Sequence, residues 1–282
     1  MVLFLLSCKS GSKQLNLSTK NNLDSIRIDS TKNSSTPDSF DWSMPRKMMD
    51  TMVRELSDPN SHKDKIVVQF LKDYNKLTER FSESLYNLPN YDELNTLSYA
   101  PDGVIKQSAK DFQKKVIDCG LNITSSEGDT YIIENTDFIK DNCFKYLDDI
   151  SLDFMNLYCN EIDTVCCDDA SIVIPLDNMV LRAFEWGELA KKVAGTAYSN
   201  FTEDYYETYI SLIFSGVDNT MAFDYETNKY DHNLFDLMIK TIDKHPTSKA
   251  AIDFKFFTDL LTQNNLQKTG VIEDYLKKRL KK

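Results

Sequence analysis

Six cysteines give this 282-residue chain its widest choice of chemistry, because a thiol can be acylated, oxidised or bound to a metal. Cys8 stands alone near the first residue, and the other five are Cys119, Cys143, Cys159, Cys166 and Cys167. No pair has the CxxC spacing, which excludes a zinc ribbon. The adjacent Cys166 and Cys167 could form a redox or metal cluster with Cys159, whereas the apolar surroundings of the first three favour small core residues. If Cys8 is acylated, the five remaining thiols are odd in number, so at least one is free or paired between chains and the pairing stays open.

The other residue types that commonly carry catalysis lack the spacing that catalysis needs. The three histidines, His62, His232 and His245, each fall at a predicted helix end, where a solvated side chain is the simplest interpretation. Neither HExxH nor ExxH occurs, which excludes the usual zinc-protease and di-iron patterns. GxSxG, P-loop and GxGxxG motifs are also missing from the sequence. We therefore predict no catalytic residue, no cofactor and no metal site, and a protein that is not an enzyme.

Carboxylates are numerous, and two groups of residues with side-chain oxygens could hold a hard cation. The first group is Glu161, Asp163, Asp168 and Asp169, and the second is Asp218, Thr220, Asp224 and Glu226. Neither has the spacing or the central glycine of an EF-hand loop, so solvated surface acids are the favoured interpretation. Arg182, Glu185 and Glu188 follow at i, i+3 and i+6, which predicts a surface ion pair.

The setting of Cys8 points to a membrane anchor. Five apolar residues and Ser7 precede it, and Leu5-Leu6-Ser7-Cys8 resembles the lipobox of bacterial lipoproteins. The resemblance implies that Cys8 is acylated and that the chain is cut just before it, so residues 1–8 read as the remnant of a lipoprotein signal. Position 9 is Lys rather than Asp, which by resemblance to lipoprotein sorting points to the outer membrane of a cell envelope.

Residues 9–40 have the composition of a flexible tether. Ser, Thr, Asn and Lys supply 19 of these 32 residues, and no helical period is visible. The segment holds five basic and three acidic residues, so the chain's net charge of −11 leaves −13 on residues 41–282. An acidic domain of this kind argues against a nucleic-acid partner.

Residues 41–282 are predicted to form one mainly α domain of packed helical hairpins. Only 8 Gly and 7 Pro are present, and apolar residues repeat at a spacing of three to four from Ile66 to Leu85. Ser61 and Asp177 are the predicted N-caps of two helices. Further helices are predicted at 44–56, 104–119, 137–165, 178–194, 202–215, 230–244, 248–264 and 271–280. The helix at 137–165 is either continuous or broken near Asp148 and Asp149.

One small β-hairpin interrupts the helices. Leu121–Thr124 and Thr130–Ile133 are short apolar runs joined by Ser, Glu, Gly and Asp residues, which is typical of two strands and a turn. Gly120, just before the first strand, stands where a left-handed helix cap belongs. A division of the domain into two lobes is possible near residues 165–176.

A weak repeat suggests that the hairpins stack like those of an α-solenoid. Two sets of four residues match at an offset of 48, namely Tyr206, Tyr209, Leu212 and Ile213 with Phe254, Phe257, Leu260 and Leu261. Each set lies in the second helix of a predicted helical hairpin. In solenoids, each hairpin buries its apolar face on the next one.

Four short pieces of sequence resemble uncharacterised bacterial helical lipoproteins. They are Gly-Asp-Thr-Tyr-Ile-Ile at 128–133, Arg-Ala-Phe-Glu-Trp at 182–186, Gly-Val-Asp-Asn-Thr at 216–220 and His-Pro-Thr-Ser-Lys-Ala at 245–250. The last is also similar to the Pro-x-Ser link of tetratricopeptide-type lipoproteins, although the Trp-Leu-Gly-Tyr signature of that repeat is absent. The resemblance covers about residues 120–265 and implies fold and location only, since it brings no catalytic residues with it.

The segment 216–228 is the candidate binding region. It joins two predicted helices with thirteen residues, where about 2–8 are usual, and long connections are often functional. Met221, Phe223 and Tyr225 lie at alternate positions and so share one apolar edge, between acidic residues. In one interpretation the three side chains fold back and seal the end of the helical stack. In the other they form a partner-facing patch with an acidic rim.

These patterns predict a lipid-anchored, non-catalytic binding or scaffolding protein of the cell envelope, with a protein partner. The alternative is an inhibitor or immunity-type lipoprotein that neutralises an envelope-acting enzyme, since an acidic domain suits a basic target. An enzyme with an unrecognised site is the third hypothesis. The basic run Lys277–Lys282 either contacts anionic lipid head groups or complements its helix dipole and stays hydrated.

Overall fold

The computed structural model describes residues 40–97, 103–126 and 128–280. The predictions of a lipidated Cys8 and of a tether fall outside the described residues, apart from Phe40 at the tether's end. Eleven α-helices make up most of the described chain, so the prediction of a mainly α fold is confirmed.

The first four helices build one end of the domain. They are α1 (Met44–Leu56), α2 (Lys63–Leu85), α3 (Tyr91–Leu94) and α4 (Gln107–Asp118). Helix α2 is the longest and lays its predicted apolar stripe into the core. The prediction that Ser61 caps it is wrong, because the helix begins one residue later and His62 occupies the N-cap position.

The predicted β-hairpin is confirmed and is held against α2. Strands β1 (Leu121–Ser126) and β2 (Asp129–Glu134) pair antiparallel over their whole length. The Ser82 hydroxyl of α2 accepts a hydrogen bond from the Ile132 amide (2.9 Å) and donates one to the Ile132 carbonyl (3.1 Å). Gly120 has φ +99°, and a Cβ there would lie 2.7 Å from the Phe138 ring, so both its backbone and its surroundings require glycine.

The next predicted helix is divided into two, close to the expected break. Helix α5 (Thr136–Cys143) is followed by a 3-10 turn and by α6 (Asp149–Asp163). The carboxylate of Asp148 accepts the Ser151 amide at 2.8 Å and so caps α6. This cap begins a separate helix at Asp148 and Asp149, the residue pair near which the sequence suggests a break.

Five helices complete the chain: α7 (Leu176–Lys192), α8 (Ser199–Ser215), α9 (His232–Lys244), α10 (Lys249–Gln263) and α11 (Gly270–Arg279). The prediction that Asp177 caps α7 is wrong. Pro175 takes the N-cap position with extended backbone, so the helix begins at Leu176 and Asp177 lies in its first turn. The carboxylate of Asp177 is still stabilised there by the positive end of the helix dipole.

Helices α7 and α8 form one helical hairpin, and α9 and α10 form a second that packs on α7. The two residue sets at an offset of 48 face the core as predicted, with only Leu260 partly exposed. Phe214 stacks on Phe257 with the ring centroids 4.1 Å apart and joins the two hairpins. The buried apolar residues from α1 to α11 form one connected core. No helix among the described residues has both the length and the apolarity that crossing a bilayer requires.

Two very short strand pairs add to the one predicted hairpin. Strands β3 (Cys167–Asp168) and β4 (Ser171–Ile172) pair with each other, as do β5 (Gly216–Val217) and β6 (Thr220–Met221). The amide of Asn219 donates to the carbonyl of Ala170 at 3.0 Å, so the two turns are tied together. Strands of two residues are too short to leave a periodic signal in a sequence.

Gly187 sets how closely α7 and α8 pack. A Cβ at this position would lie 2.9 Å from the ring of Tyr206, which is fully buried. We expect Gly187→Ala to destabilise the fold by about 1–2 kcal/mol, because overpacking outweighs the better helix propensity of alanine. Urea unfolding measures the change. Gly270→Ala is the matched control, since nothing lies within 4 Å of its added Cβ, and it should be neutral or slightly stabilising. Equal behaviour of the two variants would contradict the close packing.

Candidate interaction surface

The candidate segment begins at a turn that only glycine permits. Gly216 has φ +70°, and a Cβ there would lie 2.3 Å from the Thr220 carbonyl oxygen. The turn continues into β5 and β6, and the Thr220 hydroxyl accepts the Ile172 amide at 3.1 Å. The start of the segment is therefore fixed both to α8 and to the β3–β4 pair.

The tip of the segment is a second turn, which is held by hydrogen bonds between its own residues. The carboxylate of Asp224 accepts the Thr227 hydroxyl (2.6 Å) and the Thr227 amide (2.7 Å), and these bonds lower the pKa of Asp224. The Asn228 amide donates to the Asp224 carbonyl at 2.8 Å. The Lys268 amide, in the loop between α10 and α11, donates to the Asn228 carbonyl at 2.8 Å. The tip is thus held as a defined surface feature.

The structure separates the three predicted residues instead of placing them on one edge. Tyr225 is 82% exposed at the tip, and Met221 is half exposed on β6. Phe223 is only 5% exposed and meets the Tyr230 ring edge to face at 5.1 Å. The inward packing of Phe223 matches the sealing interpretation, whereas the other two side chains remain accessible to a partner.

Acidic residues surround the exposed aromatic side chain. Asp218, Asp224 and Glu226 are all exposed on the same segment, and the exposed Lys229 follows directly after it. Aromatic residues on rigid supports are frequent anchors of protein interfaces, because they contribute area with little loss of entropy. Tyr225 with its acidic neighbours is chemically suited to a basic polypeptide surface. We call the residues Met221, Tyr225 and their acidic neighbours the tip surface.

Two residues that the sequence places on the surface are instead buried and paired. Arg182 Nη1 lies 3.0 Å from Glu161 Oε2, and both side chains are almost completely buried. The prediction of a surface ion pair around Arg182 is wrong, as is that of a solvated Glu161. The helical spacing of Arg182 and Glu185 could not reveal a partner on another helix.

Glu161 accepts from donors on two further helices. The Trp186 indole donates to Oε1 at 2.8 Å, and the Tyr209 hydroxyl donates to Oε2 at 2.5 Å. Burial raises the pKa of Glu161, and the charge of Arg182 counteracts that rise. Burial, and then the charge of Glu161, raise the pKa of Tyr209, so its hydroxyl keeps its proton and remains a donor. This cluster, Glu161–Arg182–Trp186–Tyr209, is an ionic cross-link of α6, α7 and α8.

None of the five described cysteines is in a disulfide bond. Cys143 and Cys159 are fully buried, and burial raises the pKa of each to about 12, which suits small core residues rather than nucleophiles. Cys166 and Cys167 are buried as well. Over residues 40–97, 103–126 and 128–280, no group of three His, Cys, Asp or Glu side chains is arranged to hold a metal ion. Within these ranges, the suggested cysteine and carboxylate groups are therefore not arranged as metal sites.

A polar cleft of about 420 Å³ lies between the β1–β2 hairpin and the end of α6. Its lining includes Asn122, Asn135, Thr136 and Asp163. The Asp163 carboxylate already accepts the Thr136 hydroxyl at 2.5 Å and faces the Lys140 ammonium at 2.8 Å. The cleft does not include Met221, Phe223 or Tyr225.

Comparisons with protein-family models, with curated proteins and with solved structures gave no match to this chain. The tip surface and the buried cluster are therefore interpreted from their own geometry.

The buried cluster should be sensitive to the loss of one partner. We expect Arg182→Met to destabilise the fold by about 3–5 kcal/mol, because it leaves the carboxylate of Glu161 buried without a cation. Chemical denaturation of the purified chain measures this loss. The double variant Arg182→Met with Glu161→Leu should recover part of it, since both charges are then removed. Lys114→Met, which breaks an exposed pair with Asp118, is the control and should leave the unfolding midpoint unchanged. A midpoint for Arg182→Met equal to that of the control would contradict the structural role.

Proposed function

We propose that this chain is a lipid-anchored binding or scaffolding protein of the bacterial cell envelope and has no catalytic activity. The observation that carries the proposal is the order of its segments. Leu5-Leu6-Ser7-Cys8 is followed by a polar stretch up to residue 40, and the first helix that the structure describes begins at Met44. An acyl chain on Cys8 would supply membrane affinity at about 0.8 kcal/mol per buried CH₂.

The polar stretch would set how far the domain reaches from its anchor. A flexible chain of this length has an end-to-end distance of roughly 30 Å. That distance lets a domain search the space next to the membrane while it stays attached. Tethering raises the local concentration of the domain near a membrane partner, so a modest binding surface is enough for capture.

The tip surface supports a polypeptide partner with basic groups. Tyr225 is the most exposed large apolar side chain of the described residues, and it stands on a turn braced by Asp224. The net charge of −13 on residues 41–282 would steer a basic partner toward the domain. The same charge also favours a second candidate function, neutralisation of a basic enzyme that acts at the envelope.

Membrane attachment is expected to depend on one thiol. Cys8→Ser should move the protein from the membrane fraction to the wash fraction in salt-washed cell extracts, since the serine hydroxyl is not lipidated in this pathway. Cys119→Ser, at a half-exposed thiol of the folded domain, is the matched control and should stay with the membrane. If Cys8→Ser remains in the pellet after a high-salt wash, the lipoprotein hypothesis is wrong.

The tip surface is tested by site-specific photo-crosslinking in intact cells. Benzoylphenylalanine in place of Tyr225 should trap one defined envelope protein, whereas the same probe in place of the exposed Ile117 should not. Met221→Ser with Tyr225→Ser should weaken capture of that protein without lowering the melting temperature. Phe223→Ala should instead destabilise the fold by about 3–5 kcal/mol, as for a core aromatic residue. Equal trapping from both positions, or unchanged capture by the double variant, would refute the tip surface. Inhibition of the trapped protein's own catalysis would select the second candidate function.

A further inference from the structure

The last two helices leave an apolar strip at the surface. Ile252 is 62% exposed and Phe256 is 57% exposed, and they lie four residues apart on α10, so they share one face. Val271 on α11 is exposed as well. Large apolar side chains that are exposed side by side on one helix face are unusual on a soluble surface.

Two contacts establish how α11 lies along α10. The Phe256 and Tyr275 rings stack with their centroids 5.1 Å apart. Arg279 Nη2 lies 2.9 Å from Asp253 Oδ2. The two helices therefore run antiparallel, and Lys277 and Lys278, which lie between these contacts on α11, are at the level of Ile252 and Phe256.

The basic residues at this end are not all equivalent. Arg279 is tied to Glu207 and Asp253, which corrects the expectation that the whole C-terminal run is hydrated. Lys277 and Lys278 are exposed, and neither has an ion-pair partner within the described part of the chain. Lys255, beside Phe256, is exposed and faces Asp259 at 3.4 Å. Lys281 and Lys282 follow in the sequence. The acidic residues of α11, Glu273 and Asp274, lie toward its other end.

The exposed lysines at the level of Ile252 and Phe256 carry a charge opposite in sign to the net charge of the domain. The domain has −13, so a basic end is attracted to anions while the remainder is repelled. Ile and Phe side chains partition into the boundary between head groups and acyl chains, and each nearby lysine adds attraction to anionic lipid. A protein surface is a poorer match, because it offers no apolar layer behind its anionic groups.

We propose that Ile252, Lys255, Phe256, Lys277 and Lys278 form a membrane-contact surface that takes anionic phospholipid. This inference goes beyond the proposed anchor, because it needs neither Cys8 nor its acyl chain. The surface would also orient the domain. The tip surface is bonded to the α10–α11 loop, at the opposite end of α10, about 18 Å from Ile252 along the helix. The proposed contact and the tip surface are therefore separate parts of the surface, and both can be engaged at the same time.

The test uses the full chain carrying Cys8→Ser, so that no lipid is attached, and flotation with vesicles. The chain should float with vesicles of phosphatidylcholine and phosphatidylglycerol in equal parts. It should not float with phosphatidylcholine alone, and added salt should release it. Failure to bind the anionic vesicles would overturn the proposal without bearing on the anchor, which is tested separately in cells.

Two double variants locate the contact. Ile252→Ser with Phe256→Ser, and separately Lys277→Glu with Lys278→Glu, should each lower the bound fraction by about tenfold or more. The controls are Ile117→Ser with Leu181→Ser for exposed apolar residues, and Lys65→Glu with Lys72→Glu for exposed lysines. All of these side chains are exposed, so every variant should remain folded. The melting temperature of each is measured, because Phe256→Ser removes the ring contact with Tyr275. Equal losses in variants and controls would overturn the proposal. A second result would also overturn it. The parent chain would form a dimer in light scattering and bind no vesicles, and Ile252→Ser with Phe256→Ser would abolish the dimer.

Discussion

The carboxylate of Glu161 imposes the strictest requirement in this structure. A buried carboxylate is expensive unless a cation and several donors surround it, because its water shell has been removed. The cation and the indole N–H come from α7, and the hydroxyl donor comes from α8. Three helices must therefore meet in one arrangement, and a shift of any of them would leave a charge unpaired. Apolar packing alone would tolerate several arrangements, whereas this cluster selects one.

Because the buried cluster fixes the position of α8, it also fixes the surface segment that follows this helix. Tyr209 lies in the middle of the helix, and the chain leaves the helix at Gly216 directly into the β5–β6 turn. The Tyr230 hydroxyl donates to the carbonyl of Ile213 near the end of α8 at 2.5 Å, so the segment returns to the helix from which it left. The exposed tip is thus supported at both ends by core contacts. A surface held in this way binds with little loss of conformational entropy.

The two proposed surfaces lie at different points along α10. The loop that follows α10 bonds to Asn228 of the tip segment, while Ile252 is exposed in the first turn of the helix and Phe256 at its middle. In an anchored protein, a lipid chain limits distance but leaves orientation free. A second, weak membrane contact would restrict that orientation and leave the tip surface free for a partner.

The sequence by itself determined the order and approximate bounds of the helices and the hairpin, because those depend on neighbouring residues. The apolar spacing along α2 defines that helix, and Gly120, with its left-handed backbone, marks the end of α4. Both signals depend only on residues close by in the sequence. Two N-caps were misplaced by one or two residues, since Ser61 and Asp177 compete with adjacent residues for the same role.

Only the tertiary structure decided which polar and aromatic residues are inside. Arg182 has the helical spacing of a surface residue, and its partner Glu161 is 21 positions away on another helix. Phe223 and Tyr225 are both aromatic and lie two positions apart, yet Tyr230 covers one and nothing covers the other. Burial is the sum of contacts from distant parts of the chain, and the spacing of residues along one segment contains no information about them.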